Sequence, residues 1–272
     1  MDERKVKVAV LKMGCIGAAP LLEYLLDERA QRKDIEVRAF SSGSKLLPEF
    51  CRESIDDALR WSPDLAVLVS PNAALPGPTL ARDRFHEANI AALTVGDGPS
   101  LKAFQKKDAD GEKKTTAHPR QGFVILPMDP MIGARKETLD ATEMVLFNSD
   151  LLRVLSVTGV VRLLRRTIDG IVQSLAQGKE PEMPKLHTTK EDCIKNAGFH
   201  NPYARAKAYA ALQMTESVAT LTTEACFREK EKERCTLLAT AAHELLRAAA
   251  RLADEAREVE KTNDALLKTS ES

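Results

Sequence analysis

The sequence predicts an α/β fold: a parallel-sheet, Rossmann-like domain over residues 1–138, then a mainly helical part over 139–272. Three observations predict it. First, Val6, Val8, Val10 and Leu11 form a short apolar run, Lys12-Met13-Gly14-Cys15-Ile16-Gly17 turns, and Leu21, Leu22, Leu25 and Leu26 recur at helical spacing. Strand, glycine turn and amphipathic helix in that order open many ligand-binding α/β domains. Second, further short apolar runs alternate with helical stretches as far as Leu126. Third, beyond about Leu139 the period becomes helical almost throughout.

The elements follow in order. A second strand covers Ile35 to Phe40, and a helix runs from about Pro48 to Arg60, with Phe50, Cys51, Ile55, Ala58 and Leu59 at roughly helical spacing. Leu65 to Val69 is continuously apolar, as expected for a strand covered on both faces. Pro71, Pro76 and Pro78 predict a stiff extended loop, after which Thr79 caps a helix to about Ala88. Ile90 to Val95 is a fourth strand, ending in the turn Gly96-Asp97-Gly98-Pro99-Ser100. Gln105 to Gln121 is charged and aperiodic, which predicts a solvated loop. Gly122 to Leu126 is a fifth strand and leads into Pro127-Met128-Asp129-Pro130.

In the second half, Leu139 to Phe147 and Leu151 to Leu175 read as helix, with a kink at Thr158-Gly159. Met183 to His200 is mixed. Pro202 opens a helix to about Thr223 whose many alanines allow another helix to approach closely. A last helix runs from about Glu231 to Leu267.

Composition narrows the function. The 40 basic residues balance the 40 acidic ones, so the broad basic footprint of a nucleic-acid binder is missing. No apolar run approaches the roughly 20 residues that cross a bilayer, so no membrane span is expected. The five cysteines form no C-x-x-C and stand in no zinc spacing with histidine, so neither a metal nor a disulfide framework is expected. The odd count and the charged start, Met1 to Lys5, fit a cytoplasmic protein with free thiols. No G-x-S-x-G, Walker loop or H-E-x-x-H is present, and the histidines are scattered. Hydride transfer between two bound organic molecules needs alignment more than an acid–base pair, and suits such a chain.

The glycine turn is the leading candidate for binding. Gly14 and Gly17 permit close backbone approach, and the free N–H groups of the following helix suit an anion. As a dinucleotide signature the turn is incomplete. G-x-x-G is present without the full G-x-G-x-x-G. The second strand ends in Ser41-Ser42-Gly43-Ser44-Lys45, with no carboxylate for the ribose of NAD. Loops at successive strand ends, if gathered on one edge, make a cleft. Asp97 there either contacts a ligand or braces its turn.

Several stretches carry a resemblance. They are Lys12-Met13-Gly14-Cys15-Ile16-Gly17, Leu25 to Ala30, Pro71-Asn72 through Pro76-Gly77-Pro78, Gly96-Asp97-Gly98-Pro99, Met131-Ile132-Gly133-Ala134-Arg135, Asn201-Pro202-Tyr203-Ala204 and Ala253 to Arg257. In this order they resemble the coenzyme F420-dependent methylenetetrahydromethanopterin dehydrogenase family of archaeal one-carbon metabolism, over nearly the whole chain. The resemblance implies reversible hydride transfer from methylenetetrahydromethanopterin to F420, giving the methenyl product and reduced F420. It implies F420 as a dissociable co-substrate, no metal, no flavin, a small additional sheet beside the helices, and a hexamer built from dimers. Two differences stand out: the long basic segment Gln105 to Gln121, and Pro127-Met128 ahead of Asp129 where the family has Lys-Pro.

With that resemblance, Lys12, Gly14, Cys15, Ile16, Gly17 and Asn72 are the expected coenzyme-binding positions, and Arg135 and Asp129 the pterin-binding ones. Lys45, Lys102 and Arg135 offer charge to phosphate and glutamate anions. Asp129 and Asp97 are the candidate catalytic carboxylates, because the methenyl product is a cation and a nearby carboxylate stabilises the developing charge. Two alternatives remain at this point. One is an NADP-dependent methylene-pterin dehydrogenase, with Ser41, Ser42, Ser44 and Lys45 holding a 2′-phosphate. The other is a non-catalytic pterin-binding or assembly protein.

Overall fold

The structure, a computed structural model, describes residues 4–26, 32–107, 113–132 and 140–261. The chain divides into two compact units, one of 1–127 and 164–188, the other of 128–163 and 189–272. This differs from a single boundary after residue 138. The return at 164–188 is explained by a strand that the sequence conceals.

The first unit is built on a six-stranded sheet. Its strands are β1 (Val6–Lys12), β2 (Ile35–Ser41), β3 (Leu65–Ser70), β4 (Ala91–Gly96), β7 (Gln121–Ile125) and β8 (Lys185–His187), in the spatial order β2-β1-β3-β4-β7-β8. Every neighbouring pair is parallel. β3 and β4 are buried along their whole length, which is why their sequences are apolar without alternation. Helices α1 (Ala18–Leu26), α2 (Pro48–Arg60) and α3 (Pro76–Glu87) connect the first four strands. Cys51, Ile55 and Ala58 of α2 and Ala81 and Phe85 of α3 pack with Ala9, Leu11, Ala66, Leu68 and Ala92 of the sheet. This burial is the main drive for the α/β layer.

Three sequence expectations need correction here. α3 begins at Pro76, not Thr79, with Leu75 as the preceding residue. Pro76 and Pro78 lie in the first turn, where a missing N–H costs nothing, so these prolines start a helix rather than forbid one. The segment 105–121 is not all loop. β5 (Gln105–Lys107) and β6 (Lys113–Thr115) pair antiparallel and form a two-stranded sheet of their own. Their pairing is backbone chemistry that a polar sequence does not display. Finally, β8 extends the main sheet. The Thr188 N–H and hydroxyl both donate to the Ile125 carbonyl, at 2.9 and 2.8 Å. Gly122 makes room, since a Cβ there would lie 2.5 Å from the Pro184 carbonyl oxygen.

The second unit is helical. It contains α4 (Ala141–Val157), the start of α5 (Val160–Ala176), α6 (Lys190–Ala197), α7 (Pro202–Thr223), a π turn over 224–228 and α8 (Lys232–Lys261). Gly159 separates α4 from α5 with φ of +93°, and a Cβ there would meet the Cys193 carbonyl oxygen at 1.9 Å. The kink expected at Thr158-Gly159 is therefore a true break. α6 opens with a capping box between Thr189 and Asp192. Ala204, Ala208 and Ala211 of α7, and Ala249, Ala250, Ala253 and Ala256 of α8, are fully buried in this closely packed helical unit. The Asn201 side chain caps α7 by accepting from the Tyr203 and Ala204 N–H groups. The expected end of α8 near Leu267 lies outside the described residues.

Candidate functional site

The strand order reverses between β1 and β3. Open α/β sheets bind ligands in the crevice that such a reversal leaves. The glycine turn after β1 lies there. The Met13 N–H donates to the Val69 carbonyl at 2.9 Å, and the Gly14 N–H to the Gly43 carbonyl at 3.1 Å. The Ser42 N–H returns a bond to the Lys12 carbonyl at 3.1 Å. The ends of β1, β2 and β3 are thus tied together by their backbones.

Gly14 has φ of +90°, and a Cβ on it would stand 2.9 Å from Leu46 Cδ2 and 3.1 Å from Pro71 Cδ. Only glycine fits that position without strain. Met13 and Ile16 are fully buried, whereas Cys15 and Lys12 are partly exposed. Cys15 and Lys12 are thus the side chains of this turn that reach the surface. Gly17 stands just ahead of α1, where the Ala19 N–H donates to the Ile16 carbonyl at 3.2 Å and the Leu21 N–H to the Gly17 carbonyl at 3.4 Å, while Pro20 has no N–H, so the anion site expected at this helix start is closed by the chain's own carbonyls. Lys45 and Lys102, both exposed, add positive charge on the loops after β2 and β4.

The loop after β3 is held more firmly than its proline content foretold. The Asn72 side-chain oxygen accepts the Ala74 N–H at 3.1 Å. The buried Ser100 hydroxyl accepts the Ala73 N–H at 2.9 Å, and Arg82 donates to the Ala73 carbonyl. Asp97 braces its own turn by accepting the Gly98 N–H at 2.7 Å.

Asp129 belongs to the second unit and is 2% exposed. The segment that follows it is clamped. The Asn148 side chain of α4 accepts the Ile132 N–H at 3.1 Å and donates to the Ile132 carbonyl at 2.9 Å. Arg135 lies outside the described residues. Sequence reasoning missed Arg82, Ser100 and Asn148. Nothing in their local pattern marks them, since an Arg in a helix and a Ser in a turn are ordinary. Among the described residues, no group of three or more His, Cys, Asp or Glu is placed to hold a metal ion.

A parallel doubly wound sheet with a glycine turn at its switch point defines a Rossmann-like α/β protein that takes its ligand at the carboxyl edge. Residues 6–272 match the family described as methylene-5,6,7,8-tetrahydromethanopterin dehydrogenase, and the chain belongs to that family. It is 45% identical to the F420-dependent methylenetetrahydromethanopterin dehydrogenase of Methanobrevibacter smithii, over 97% of this chain and 92% of the relative. With the protein of the same name from Archaeoglobus fulgidus it shares 46% identity over the same proportions. A solved structure described as F420-dependent methylene-tetrahydromethanopterin dehydrogenase in complex with methylene-tetrahydromethanopterin and coenzyme F420 superposes with a TM-score of 0.84 at 38% identity. That match covers 96% of this chain and 92% of the other.

Proposed function

We infer that this protein transfers a hydride reversibly between 5,10-methylenetetrahydromethanopterin and coenzyme F420, giving the methenyl compound and the reduced coenzyme. The observation that carries this is the near-full-length likeness, at 38% identity, to a structure holding both molecules. The residues present suit such a coenzyme. The bare Gly14 backbone offers close approach, and Lys12, Lys45 and Lys102 offer charge to phosphate and carboxylates. No carboxylate stands at the end of β2 to receive a nicotinamide dinucleotide's ribose.

The deazaflavin supplies the hydride-accepting carbon when bound. The chain's own residues do the rest. Gly14, Cys15, the Ile16 backbone and Gly17 form the floor against which the coenzyme lies, and Asn72 offers its side-chain amide. Asp129 stabilises the positive charge that develops on the pterin as the hydride leaves. The buried setting makes its charge count for more than it would in water. Asp97 holds the turn after β4. Arg135 binds the pterin.

The test is direct. Purified protein mixed with methylenetetrahydromethanopterin and F420 should bleach the oxidised deazaflavin absorbance. NADP in place of F420 should give no reduction, and activity with NADP alone would overturn the assignment. A protein that binds the pterin and reduces neither carrier would support the non-catalytic alternative.

The protein is further proposed to work in the cytoplasm as a homo-oligomer, a hexamer built from dimers. No single described helix is long and apolar enough to cross a membrane. The second unit exposes the large apolar side chains Val145, Leu146, Phe227 and Leu237, which an interface between copies would cover. A monomer in analytical ultracentrifugation at micromolar concentration would refute the oligomer.

A further inference from the structure

Arg82 is only 8% exposed, and the hydrogen bonds of its guanidinium among the described residues go to carbonyl and hydroxyl oxygens rather than to a carboxylate. Burial pulls its pKa below the usual arginine value, and the neighbouring Asp83 opposes this only through space. Such a group is costly to bury unless each N–H finds an acceptor. Arg82 finds them in the loop after β3 and the first turn of its own helix. Nη1 donates to the Ala73 carbonyl and, at 3.3 Å, to the Pro78 carbonyl, while Nη2 reaches Thr79 Oγ1 at 3.0 Å. Its guanidinium carbon lies 5.3 Å from the centre of the Phe104 ring, and Phe104 stacks on Phe123 at 4.3 Å. Packing thus fixes the fork from behind.

Ser100 holds the other side of the same residue. It is fully buried, and its Oγ accepts the Ala73 N–H at 2.9 Å while lying 3.5 Å from the Ser70 carbonyl. Ala73 is therefore gripped at its N–H by the loop after β4 and at its carbonyl by α3. The residue before it is Asn72. Its side-chain oxygen is committed to the Ala74 N–H, and its Nδ2 has no hydrogen-bond partner among the described residues. Each added constraint removes a way for that amide to turn aside.

We propose that Arg82 and Ser100 are positioning residues that clamp Ala73 and so aim the Asn72 amide N–H groups at the coenzyme. This rests on the F420 reading above and names how one side of that site is built. An amide held in one orientation donates only where an acceptor such as a ring carbonyl is placed, and so contributes selectivity as well as affinity. The clamp acts on binding of the coenzyme and not on the charge of the pterin.

The experiment is a double-mutant cycle on full-length protein, read by fluorescence titration of F420, by steady-state kinetics and by thermal melting. Ser100→Ala removes one hydroxyl and little volume, and Arg82→Lys keeps the charge without the fork. Each should raise the F420 Kd and KM about tenfold, the scale of one well-made hydrogen bond to a ligand. The pterin KM should stay within about twofold. Asn72→Ala should produce a similar rise. Adding Ser100→Ala to Asn72→Ala should then cost little more, because the clamp acts through Asn72. Fully multiplicative losses, or wild-type F420 affinity in both Ser100→Ala and Arg82→Lys, would overturn the proposal. If one variant fails to fold, the other carries the cycle. Wild-type protein that binds no F420 would instead sink the functional reading itself.

Discussion

The Gly14 N–H donates to the Gly43 carbonyl at 3.1 Å, tying the turn after β1 to the turn after β2. Both glycines have positive φ, +90° at Gly14 and +65° at Gly43, but only Gly14 is crowded. A methyl group at Gly14 would press on Leu46 and Pro71, whereas nothing lies within 4 Å at Gly43. Gly14→Ala should therefore both strain the backbone, by about 1–2 kcal/mol, and push the loop after β3 outward. The expected result is a lower melting temperature and at least about tenfold weaker F420 binding, since close approach of ligand to backbone is what such a glycine permits. Gly43→Ala should lower stability only modestly and leave the coenzyme Kd near wild type. Equal F420 affinity in Gly14→Ala and wild type would remove this turn from the binding site.

Asp129 is the carboxylate assigned to the pterin side. Asp129→Asn keeps shape and removes charge, so turnover should fall by roughly ten- to a thousandfold, the scale of one lost electrostatic stabiliser. F420 affinity should change little, because the coenzyme is itself anionic. Circular dichroism on the same sample separates a chemical effect from misfolding. Wild-type turnover in a folded variant would exclude Asp129 from the mechanism. Asn148→Ala frees the Ile132 backbone that follows Asp129 and should reproduce part of the loss with the charge still in place.

Glu260 gives a pH test of the helical unit. Its fully buried carboxylate accepts the His200 and Asn201 N–H groups, each at 2.9 Å, and faces the His200 ring at 3.2 Å. Burial alone would raise its pKa, but those donors together hold it below the ordinary glutamate value. A depressed folded pKa means that Glu260 contributes stability above the unfolded value of about 4.3 and loses it as pH falls through the folded one. Glu260→Gln should thus melt well below wild type at pH 7. The gap should narrow steadily in acid below about pH 4.3. A gap that stays constant from neutral to strongly acid pH would show that charge is not what Glu260 supplies.

Much of the fold was legible because periodicity reports burial. The run Val6–Lys12 followed by Ala18–Leu26 switches from strand to helix period just where the structure does. α2 and α7 begin at Pro48 and Pro202 as their sequences indicate. What escaped has a common cause. Lys185–His187 is an exposed three-residue strand, and Gln105–Lys107 is polar, so neither shows an apolar pattern. Their position comes from backbone pairing with distant residues. The clamp on Ala73 was illegible for the same reason. Arg82 reads as a solvated helix charge until burial shows it facing carbonyls, and Glu260 sits in a run of charge that looks uniformly exposed. Gly14 was readable as a constrained glycine because a glycine at a strand end needs a steric reason. The reason itself, Leu46 and Pro71, lies on other loops.

Gly96 offers a way to separate stability from positioning. It ends β4, and a Cβ there would lie 2.3 Å from Ser100 Oγ, 2.7 Å from Ser100 Cβ and 3.0 Å from the Ser70 carbonyl oxygen. The glycine leaves room for the buried hydroxyl that grips Ala73. Gly96→Ala should force Ser100 aside, costing about 1–3 kcal/mol, the usual penalty of overpacking. It should also weaken F420 binding about as much as Ser100→Ala does. Adding Ser100→Gly to Gly96→Ala removes both close side-chain contacts. The double variant should then recover part of the lost melting temperature. It should recover none of the lost coenzyme affinity, because the hydroxyl on the Ala73 N–H is gone. Affinity that returns together with stability would mean that Gly96 and Ser100 matter only for packing.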